Sequence, residues 1–242
     1  MKCVIIAAGR GSRLSARTPS KPLLRVLGVP LIERVIRDAA KGGATEFCVV
    51  TGYRGDAVQS HLKRLASALP EVVISTVANP DWELGNGQSV LSARDCVAGD
   101  FLLLMADHLF DPAIIRKLVQ LRPRAGDVHL AVDFGLTANE RIDLEDVTRV
   151  LVRDAVVIDI GKGISNYNGY DTGLFHCTHA LFQAIEASSG RGDLSLSGGM
   201  RNLSAFGRVK SMDIEDTFWI DVDDEAALSL AERLLRQRES RD

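Results

Sequence analysis

Residues 3–22 read CVIIAAGRGSRLSARTPSKP, in which a short apolar run breaks into a glycine-rich loop. An apolar run of this length is typical of a buried strand in a parallel sheet. Gly9 and Gly11 have no Cβ, so the backbone N–H groups of the loop can approach an anionic ligand closely. Arg13 and Lys21 add fixed positive charge, which favours a triphosphate over a neutral ligand at this loop.

Two common phosphate-binding motifs do not describe this loop. A Walker loop ends in Gly-Lys-Ser/Thr, and the dinucleotide fingerprint needs a third glycine where a helix begins. Residues 9–14 read GRGSRL and meet neither requirement. The loop instead resembles the Ala-Ala-Gly-x-Gly-x-Arg-Leu signature, followed by a lysine, of the sugar-phosphate nucleotidyltransferases. Many members have proline directly before that lysine. Here Ser20 occupies that position, which we interpret as a small change of loop path, because Lys21 keeps its spacing from Arg13.

The resemblance implies roles for the residues of the signature. Arg13 and Lys21 would act in catalysis by holding the triphosphate and stabilising the leaving pyrophosphate. A further nucleotide contact is implied at residues 86–89, which read NGQS, where the cytidylyltransferases of the family differ from the glucose-1-phosphate enzymes. The nucleotide-binding residues implied in this way are Ala8, Gly9, Gly11, Ser12, Arg13, Lys21, Asn86 and Gly87.

Composition and charge argue against several other functions. The 242-residue chain has a net charge of −3 with both signs interspersed, which disfavours nucleic acid and anionic membranes as partners. Its four cysteines lie far apart, without a CxxC pair, so neither a zinc site nor a disulfide framework is expected. The first apolar strand starts at Lys2, and no apolar run approaches about 18 residues. We therefore expect a cytoplasmic protein without a signal peptide or a membrane span.

Short apolar runs alternate with longer amphipathic segments, which is the pattern of an α/β fold. We predict a doubly wound, mostly parallel, Rossmann-like sheet with helices on both faces. The predicted core strands are CVIIAAG, EFCVVTG, VVISTVA, FLLLMAD and VHLAVDF. The predicted helices between them are residues 30–41, 56–69, 86–97 and 112–121.

From about residue 143 the pattern predicts a small antiparallel addition to the sheet. Two short β runs flank Arg153 and Asp154, which indicates a tight hairpin. The elements predicted after it are a strand in NYNGYDTGLFHC, a helix near 178–188, a glycine-rich loop near 189–199, a last strand and a helix over 224–238.

The chain is predicted to form a single domain over residues 1–242. It contains no Pro/Ser linker, low-complexity tract or internal repeat that would divide it. Within this domain we expect a nucleotide-binding half, at about residues 1–142, and an acceptor-binding half, at about residues 143–242.

Two aspartates supply the acidic part of the predicted site. Asp107 ends the strand FLLLMAD, and Asp221 lies within FWIDVDD. Carboxylates together with phosphate oxygens are the usual ligands of Mg²⁺ at a triphosphate, so we predict that these two residues hold Mg²⁺. Asp223 and Asp224 compete for this role, but they directly precede the final helix and are predicted to cap it. His108 either contacts substrate or packs, and no role is assigned to it.

Lys162 lies in IGKGISNYNGYDTGLF, between the predicted hairpin and the next strand. A loop lysine is usually a solvated charge, but this segment is rich in groups that hydrogen-bond hydroxyls. It resembles the nucleotidyltransferase segment in which a lysine grips the phosphate of the acceptor and a Thr-Gly strand lines the acceptor pocket. The resemblance therefore implies a catalytic role for Lys162 and an acceptor site made of Lys162, Asn166, Asp171, Thr172 and Gly173.

The resemblance extends over nearly the whole chain and is closest to the inositol-1-phosphate cytidylyltransferases. It implies transfer of CMP from CTP to inositol-1-phosphate, or to a similar polyol or sugar phosphate, with release of pyrophosphate. Phosphocholine or another phosphate or phosphonate acceptor stays open, as does a sugar-1-phosphate with UTP or dTTP. The implied partners are CTP and a small phosphorylated acceptor, with a homodimer as an option.

Two functions of other classes stay open at this point. A glycosyltransferase that binds a nucleotide sugar shares such a sheet, and DVDD at 221–224 matches its Asp-x-Asp motif superficially. That motif lies at the end of the chain, however, and the loop with Arg13 and Lys21 suits a triphosphate better. A non-catalytic nucleotide sensor could dispense with Lys162 or with one carboxylate.

Overall fold

Strands and helices alternate along the chain, as the sequence pattern predicts. The computed structural model describes residues 1–135, 143–144 and 146–239. In this part of the chain the strands are β1 (Lys2–Ala7), β2 (Arg25–Val26), β3 (Val29–Pro30), β4 (Glu46–Thr51), β5 (Val73–Ala78), β6 (Phe101–Met105), β7 (His108–Phe110), β8 (Val128–Asp133), β9 (Arg149–Arg153), β10 (Val156–Gly161), β11 (Gly169–Cys177), β12 (Val209–Asp213) and β13 (Trp219–Asp221). The helices are α1 (Leu31–Lys41), α2 (Gly55–Ala68), α3 (Asn86–Ser92), α4 (Pro112–Gln120), α5 (Ala180–Ser189), α6 (Leu196–Ser204) and α7 (Glu225–Glu239).

One sheet holds nine of these strands in the order β5-β4-β1-β6-β11-β8-β12-β10-β9. Strands β5, β4, β1 and β6 are parallel, as predicted. Strand β11 runs antiparallel to both β6 and β8, and the hairpin of β9 and β10 ends the sheet. The predicted antiparallel addition is therefore confirmed. Strand β8, predicted within the parallel core, lies in this half and has a parallel neighbour in β12.

Helices cover both faces of the sheet, which confirms the doubly wound architecture. Alternate residues of β1 point to opposite faces, because successive side chains of a strand do so. Cys3 and Ile5 belong to the apolar layer that includes residues of α1, α2 and α4. Val4 belongs to the layer that includes residues of α3, α5 and α6.

Two predicted elements differ in the structure. Helix α3 ends at Ser92, and a 3₁₀ turn over Arg94–Cys96 replaces the rest of the predicted helix 86–97. The predicted glycine-rich loop near 189–199 is wrong in its second part, because α6 begins at Leu196. The Ser195 hydroxyl caps α6 by accepting the N–H of Gly198 at 3.0 Å.

The glycines of α6 serve packing rather than loop flexibility. A Cβ at Gly199 would lie 2.4 Å from a side-chain carbon of Ile185 in α5, and a Cβ at Gly198 would lie 2.3 Å from the hydroxyl of Ser188. Glycine at these positions lets the two helices approach closely. The glycine-rich composition of this segment, which by itself favours a loop, is thus compatible with a helix that packs closely against α5.

A third apolar cluster joins the glycine-rich loop to β7, β13 and α7. Leu14, which lies just after the loop, is completely buried in it beside Phe218 and Ile220. Burial of a leucine side chain stabilises a fold by about 1.5–3 kcal/mol, so this contact anchors the loop against the small β7-β13 sheet.

Two expectations concern the organisation of the chain. The predicted division near residue 142 falls on residues 136–142, which lie outside the described residues. Within the described ranges, no helix combines the length and the apolar character needed to cross a bilayer.

Candidate active site

The carboxyl ends of β1 and β6 open on one cavity. The two strands are parallel neighbours, with Ile6 opposite Met105, so the segments that follow them meet at the same edge of the sheet. The cavity has a volume of about 760 Å³. Its lining includes Gly9, Asn86, Asp107, His108, Asp146, Lys162, Asp171, Gly173, Asp221 and Asp223.

The glycine-rich loop folds over the side chain of Lys21. Gly11 has a φ of 61°, in the left-handed region that favours glycine. A Cβ at this position would lie 2.4 Å from the Cβ of Lys21. At Gly9 no atom lies within 4 Å of the place that a Cβ would take, so this part of the backbone is open to a ligand. Gly9, Gly11 and Lys21 also line a second cavity of about 230 Å³.

Lys21 lies in a cluster of three carboxylates. Its side chain is 8% exposed, and its Nζ lies 2.6 Å from Asp107 Oδ2 and 3.9 Å from Asp221 Oδ1. Nζ also donates a hydrogen bond to Asp223. Burial by itself would lower the pKa of Lys21, but the charges of the three carboxylates outweigh it and raise this pKa. The ammonium is therefore a fixed positive charge under the loop.

Asp107, His108 and Asp221 offer ligand atoms that lie within 4.8 Å of one another. Antiparallel pairing of β7 with β13 places Asp221 directly opposite His108. Asp221 Oδ1 is buried and accepts no hydrogen bond from the part of the chain that the structure describes, which fits a cation held beside it. Burial would lower the pKa of His108, but the charges of Asp221 and Asp107 raise it to about 10. Burial would raise the pKa of Asp221, but His108 and Lys21 lower it to about 2.

Asp146 connects the glycine-rich loop with the segment that carries Lys162. It accepts a hydrogen bond from Arg13 through Oδ2 and one from Lys162 through Oδ1. Burial would raise the pKa of Asp146, but these two bonds hold it well below its usual range. Arg13 and Lys162 thus lie on two sides of one carboxylate, although they are far apart in the sequence.

The structure separates the predicted acceptor residues into two groups. Asp171 and Gly173 line the cavity with Lys162, and burial raises the pKa of Asp171 to about 6. The Thr172 side chain is buried, and its hydroxyl donates to the carbonyl of Ala131 at 2.8 Å. Asn166 is exposed and is not one of the residues that line the cavity. Neither Thr172 nor Asn166 therefore presents its side chain to the cavity.

The remaining predicted nucleotide residues occupy the walls. Asn86 lines the cavity, and its Oδ1 accepts the N–H of Leu196 at 2.8 Å. Gly87 is buried against the segment that leads into α6, since a Cβ there would lie 2.6 Å from the carbonyl oxygen of Leu194. Ala8 is buried beneath the loop. Ser12 is exposed and lines neither cavity.

Three residues of the site, Asp223, His108 and Asp146, were not assigned to it from the sequence. Asp224 caps α7 as predicted, because it accepts the N–H of Ala227 at 2.8 Å. Asp223 does not share this role, since it pairs with Lys21 in the site. The sequence signal that points to Asp223 is the DVDD motif at residues 221–224. His108, beside a predicted metal ligand, was recognisable only as a candidate, and Asp146 lies outside every quoted motif.

Comparison with known proteins identifies the family. The model of the MobA-like NTP transferase domain matches residues 3–194. The chain belongs to this family. A bifunctional IPC transferase and DIPP synthase of Rubrobacter xylanophilus is 36% identical to this NTP transferase domain over 233 residues, which are 96% of the chain and 51% of that protein. The protein of the same name from Thermococcus kodakarensis is 31% identical over 239 residues, 97% of the chain and 50% of that protein.

The chain thus spans about half the length of these curated relatives. Among solved structures, the inositol-1-phosphate CTP transferase from T. maritima superposes on the NTP transferase domain with a TM-score of 0.85 and 28% identity, covering 98% of this chain and 95% of that one. A UDP-glucose pyrophosphorylase complexed with UDP-glucose shares the fold, with a TM-score of 0.79 at 16% identity and 98% coverage of both chains.

Proposed function

We propose that this NTP transferase domain transfers CMP from CTP to inositol-1-phosphate, forming a CDP-linked inositol and pyrophosphate. One observation carries the proposal: Gly9 of the glycine-rich loop, the two predicted metal ligands and Lys162 line a single cavity. The likeness to the inositol-1-phosphate CTP transferase from T. maritima supports the choice of substrates.

The reaction requires no covalent intermediate with the enzyme. A phosphate oxygen of the acceptor attacks the α-phosphorus of CTP, and a new P–O bond forms. The bond from the α-phosphorus to the oxygen that bridges to the β-phosphorus breaks, and pyrophosphate leaves with that oxygen. The protein contributes position and charge stabilisation. Arg13 and Lys21 would hold the triphosphate and the leaving pyrophosphate, and Lys162 would hold the acceptor phosphate.

The arrangement around Asp146 supports this division of roles. Arg13 and Lys162 contact opposite oxygens of one carboxylate, so a cation of the nucleotide loop and a cation of the acceptor segment are only one anionic group apart. Two anionic substrates must meet at one phosphorus atom in this reaction. Cations placed on both sides of that point would offset their mutual repulsion.

Asp107 and Asp221 would hold Mg²⁺. When bound, Mg²⁺ supplies the charge neutralisation at the α-phosphate that an anionic nucleophile requires. Asp221 Oδ1 is buried without a hydrogen bond from the described residues, which leaves a lone pair for such a cation, and carboxylate oxygens are the ligands that Mg²⁺ prefers.

Asp171 and Gly173 would line the acceptor site beside Lys162. A carboxyl group at the cavity wall can accept hydrogen bonds from the hydroxyls of a polyol. Thr172 and Asn166 stay predicted acceptor residues. Thr172 would contact the acceptor only through its backbone, because its hydroxyl already donates to the carbonyl of Ala131.

We place the reaction in the cytoplasm. The four cysteines are free thiols, as is usual in a reducing compartment. A homodimer stays a prediction, which light scattering of the purified protein tests.

The experiment is a matrix of nucleotides against acceptors, scored by pyrophosphate release. The nucleotides are CTP, UTP and dTTP, and the acceptors are inositol-1-phosphate, phosphocholine, aminoethylphosphonate and glucose-1-phosphate. Mass spectrometry identifies the product of each active pair, and Asp107→Asn serves as the control for contaminating enzymes.

The proposal expects the highest kcat/KM for CTP with inositol-1-phosphate and no release in the Asp107→Asn control. A higher kcat/KM with phosphocholine, the phosphonate or glucose-1-phosphate would identify that compound, and not inositol-1-phosphate, as the acceptor. A preference for UTP or dTTP would likewise reject CTP as the nucleotide. Binding of CTP without turnover of any acceptor would favour a sensor, and consumption of a nucleotide sugar would favour a glycosyltransferase.

A further inference from the structure

We propose that His108 is a third protein ligand of the divalent cation, through Nε2, beside Asp107 and Asp221. The inference rests on the proposed function for the presence of a cation between the two aspartates. The two carboxylates alone would give the cation only oxygen ligands from the protein, and His108 would add a nitrogen ligand.

The distances place His108 at the site itself. Its Nε2 lies 3.3 Å from Asp221 Oδ2 and 3.8 Å from Asp107 Oδ1. Neighbouring ligands of an octahedral ion at about 2.1 Å are roughly 3.0 Å apart. The three ligand atoms, all within 4.8 Å of one another, are thus close to the spacing that one such ion requires.

The other ring nitrogen fixes the form of the imidazole. His108 Nδ1 lies 2.7 Å from the carbonyl oxygen of Thr172. Because a carbonyl oxygen only accepts, Nδ1 carries a proton. The neighbouring carboxylates favour a second proton on Nε2 while no cation is bound. A cation bound at Nε2 would displace that proton to solvent and use the lone pair it leaves. A ligating histidine commonly donates its second N–H to a carbonyl or a carboxylate in this way. Thr172 is itself held in place by its hydroxyl bond to Ala131.

The surrounding structure keeps the ring in this orientation. A Cβ at Gly173, where φ is 72°, would lie 2.5 Å from His108 Nδ1, so glycine provides the space for the imidazole. On another side the ring stacks on Trp219, with 6.0 Å between ring centroids. The Trp219 indole is fixed in turn by a 2.8 Å hydrogen bond from Nε1 to Asp133.

An imidazole ligand has a consequence for the choice of metal. Mg²⁺ prefers oxygen ligands, whereas Mn²⁺ and Co²⁺ also accept imidazole nitrogen. A site with two carboxylates and one imidazole should therefore prefer Mn²⁺ over Mg²⁺ by a larger factor than a site of carboxylates alone. If His108 is only the charged partner of Asp221, the preference would be that of a carboxylate site.

Two substitutions separate these roles, because they change different atoms. In His108→Asn the side-chain amide can still donate to the Thr172 carbonyl, but nothing replaces Nε2. In His108→Gln the amide oxygen reaches the region of Nε2 and offers an oxygen ligand instead of a nitrogen. His61→Asn is the matched control, since His61 also pairs with a carboxylate, Glu33 at 3.2 Å, away from the cavity.

The test measures Mn²⁺ binding to the full chain by electron paramagnetic resonance, with circular dichroism and melting curves for each variant. Pulsed measurements of the bound Mn²⁺ should show coupling to a directly coordinated ¹⁴N in the wild type and in His61→Asn. The coupling should be absent in both His108 variants. The Kd for Mn²⁺ should rise at least about 10-fold in His108→Asn, and the ratio of Mn²⁺ to Mg²⁺ affinity should fall in His108→Gln.

Bound Mn²⁺ without ¹⁴N coupling in the wild-type protein, with or without CTP, would overturn the inference. Coupling that persists in a folded His108 variant would do the same, because another group would then be the donor. Turnover of CTP by a protein whose bound Mn²⁺ shows no ¹⁴N coupling would support the proposed function and reject only the role of His108 as a metal ligand. Coupling without turnover of any acceptor would support the ligand and reject the reaction.

Discussion

Substitution of Lys162 by alanine tests whether its ammonium group is a solvated surface charge or binds a substrate. We expect Lys162→Ala to lower kcat/KM for the acceptor by about 10²-fold or more, mainly through KM. We expect the Kd for CTP, measured without acceptor, to stay within about twofold of the wild-type value. A factor of 10² in kcat/KM corresponds to about 2.7 kcal/mol of lost transition-state stabilisation.

The structure sets the accompanying change in stability. The Lys162 side chain is 59% exposed, and its partner Asp146 keeps a second cation in Arg13. Exposed ion pairs contribute about 0–1 kcal/mol to stability, so Lys162→Ala should lower the free energy of unfolding by less than about 1 kcal/mol. A large kinetic effect would therefore not be explained by unfolding.

The assay compares steady-state kinetics for each substrate with chemical denaturation of the same preparations. Lys41→Ala is the matched control, because Lys41 is 66% exposed and forms an ion pair with Asp38 at 2.9 Å on α1. It should leave both substrates unaffected. Lys162→Arg should restore only part of the loss, since a planar guanidinium does not place its charge where a compact ammonium lies.

Two outcomes would refute the reasoning. An equal loss for CTP and for the acceptor would assign Lys162 to the nucleotide site or to the fold. Kinetics indistinguishable from those of Lys41→Ala would make Lys162 a solvated charge, and the acceptor site beside Asp171 and Gly173 would have to be placed elsewhere.

Three further predictions concern the two aspartates of the predicted metal site, the buried Lys21 and the carboxyl group of Asp171. Asp107→Asn and Asp221→Asn should each lower turnover by a factor on the order of 10³, about 4 kcal/mol, and near-normal rates at saturating Mg²⁺ would remove that residue from the site. Lys21→Met leaves three carboxylates without their buried cation. In the presence of a chelator, this substitution should lower the free energy of unfolding by about 3 kcal/mol. Mg²⁺ should restore part of that loss, and the Kd for CTP should rise far more than the Kd for the acceptor. Unchanged denaturation curves and a CTP affinity within twofold would contradict this. Burial raises the pKa of Asp171 to about 6, above its ordinary 3.8. Its contribution to stability is therefore present below about pH 4 and lost as the pH rises through 6. Asp171→Asn should melt at a higher temperature than wild type at pH 7.5 and at a similar one at pH 4, and an equal difference at both values would refute the assignment.

Local sequence was sufficient for the parallel half of the sheet and for the position of the glycine-rich loop. The run from Cys3 to Ala7 is apolar on both faces because helices cover both, and Gly11 follows where the backbone needs a positive φ. The same reasoning places Asp107 at the end of β6. It failed for α6, because the glycines at 198 and 199 reflect close packing against α5, which only the neighbouring helix reveals.

The sequence by itself determined that a glycine-rich loop with nearby Arg13 and Lys21, and carboxylates at or just after strand ends, occur in one α/β chain. These features depend on contiguous residues, whose spacing fixes backbone conformation and strand ends. Only the tertiary structure decided which of the charged groups meet. His108 faces Asp221 because β7 pairs with β13, and Asp146 lies between Arg13 and Lys162 because distant segments converge at the cavity. Such pairings are set by strand register and by the packing of many apolar contacts, and no short stretch of sequence carries that information.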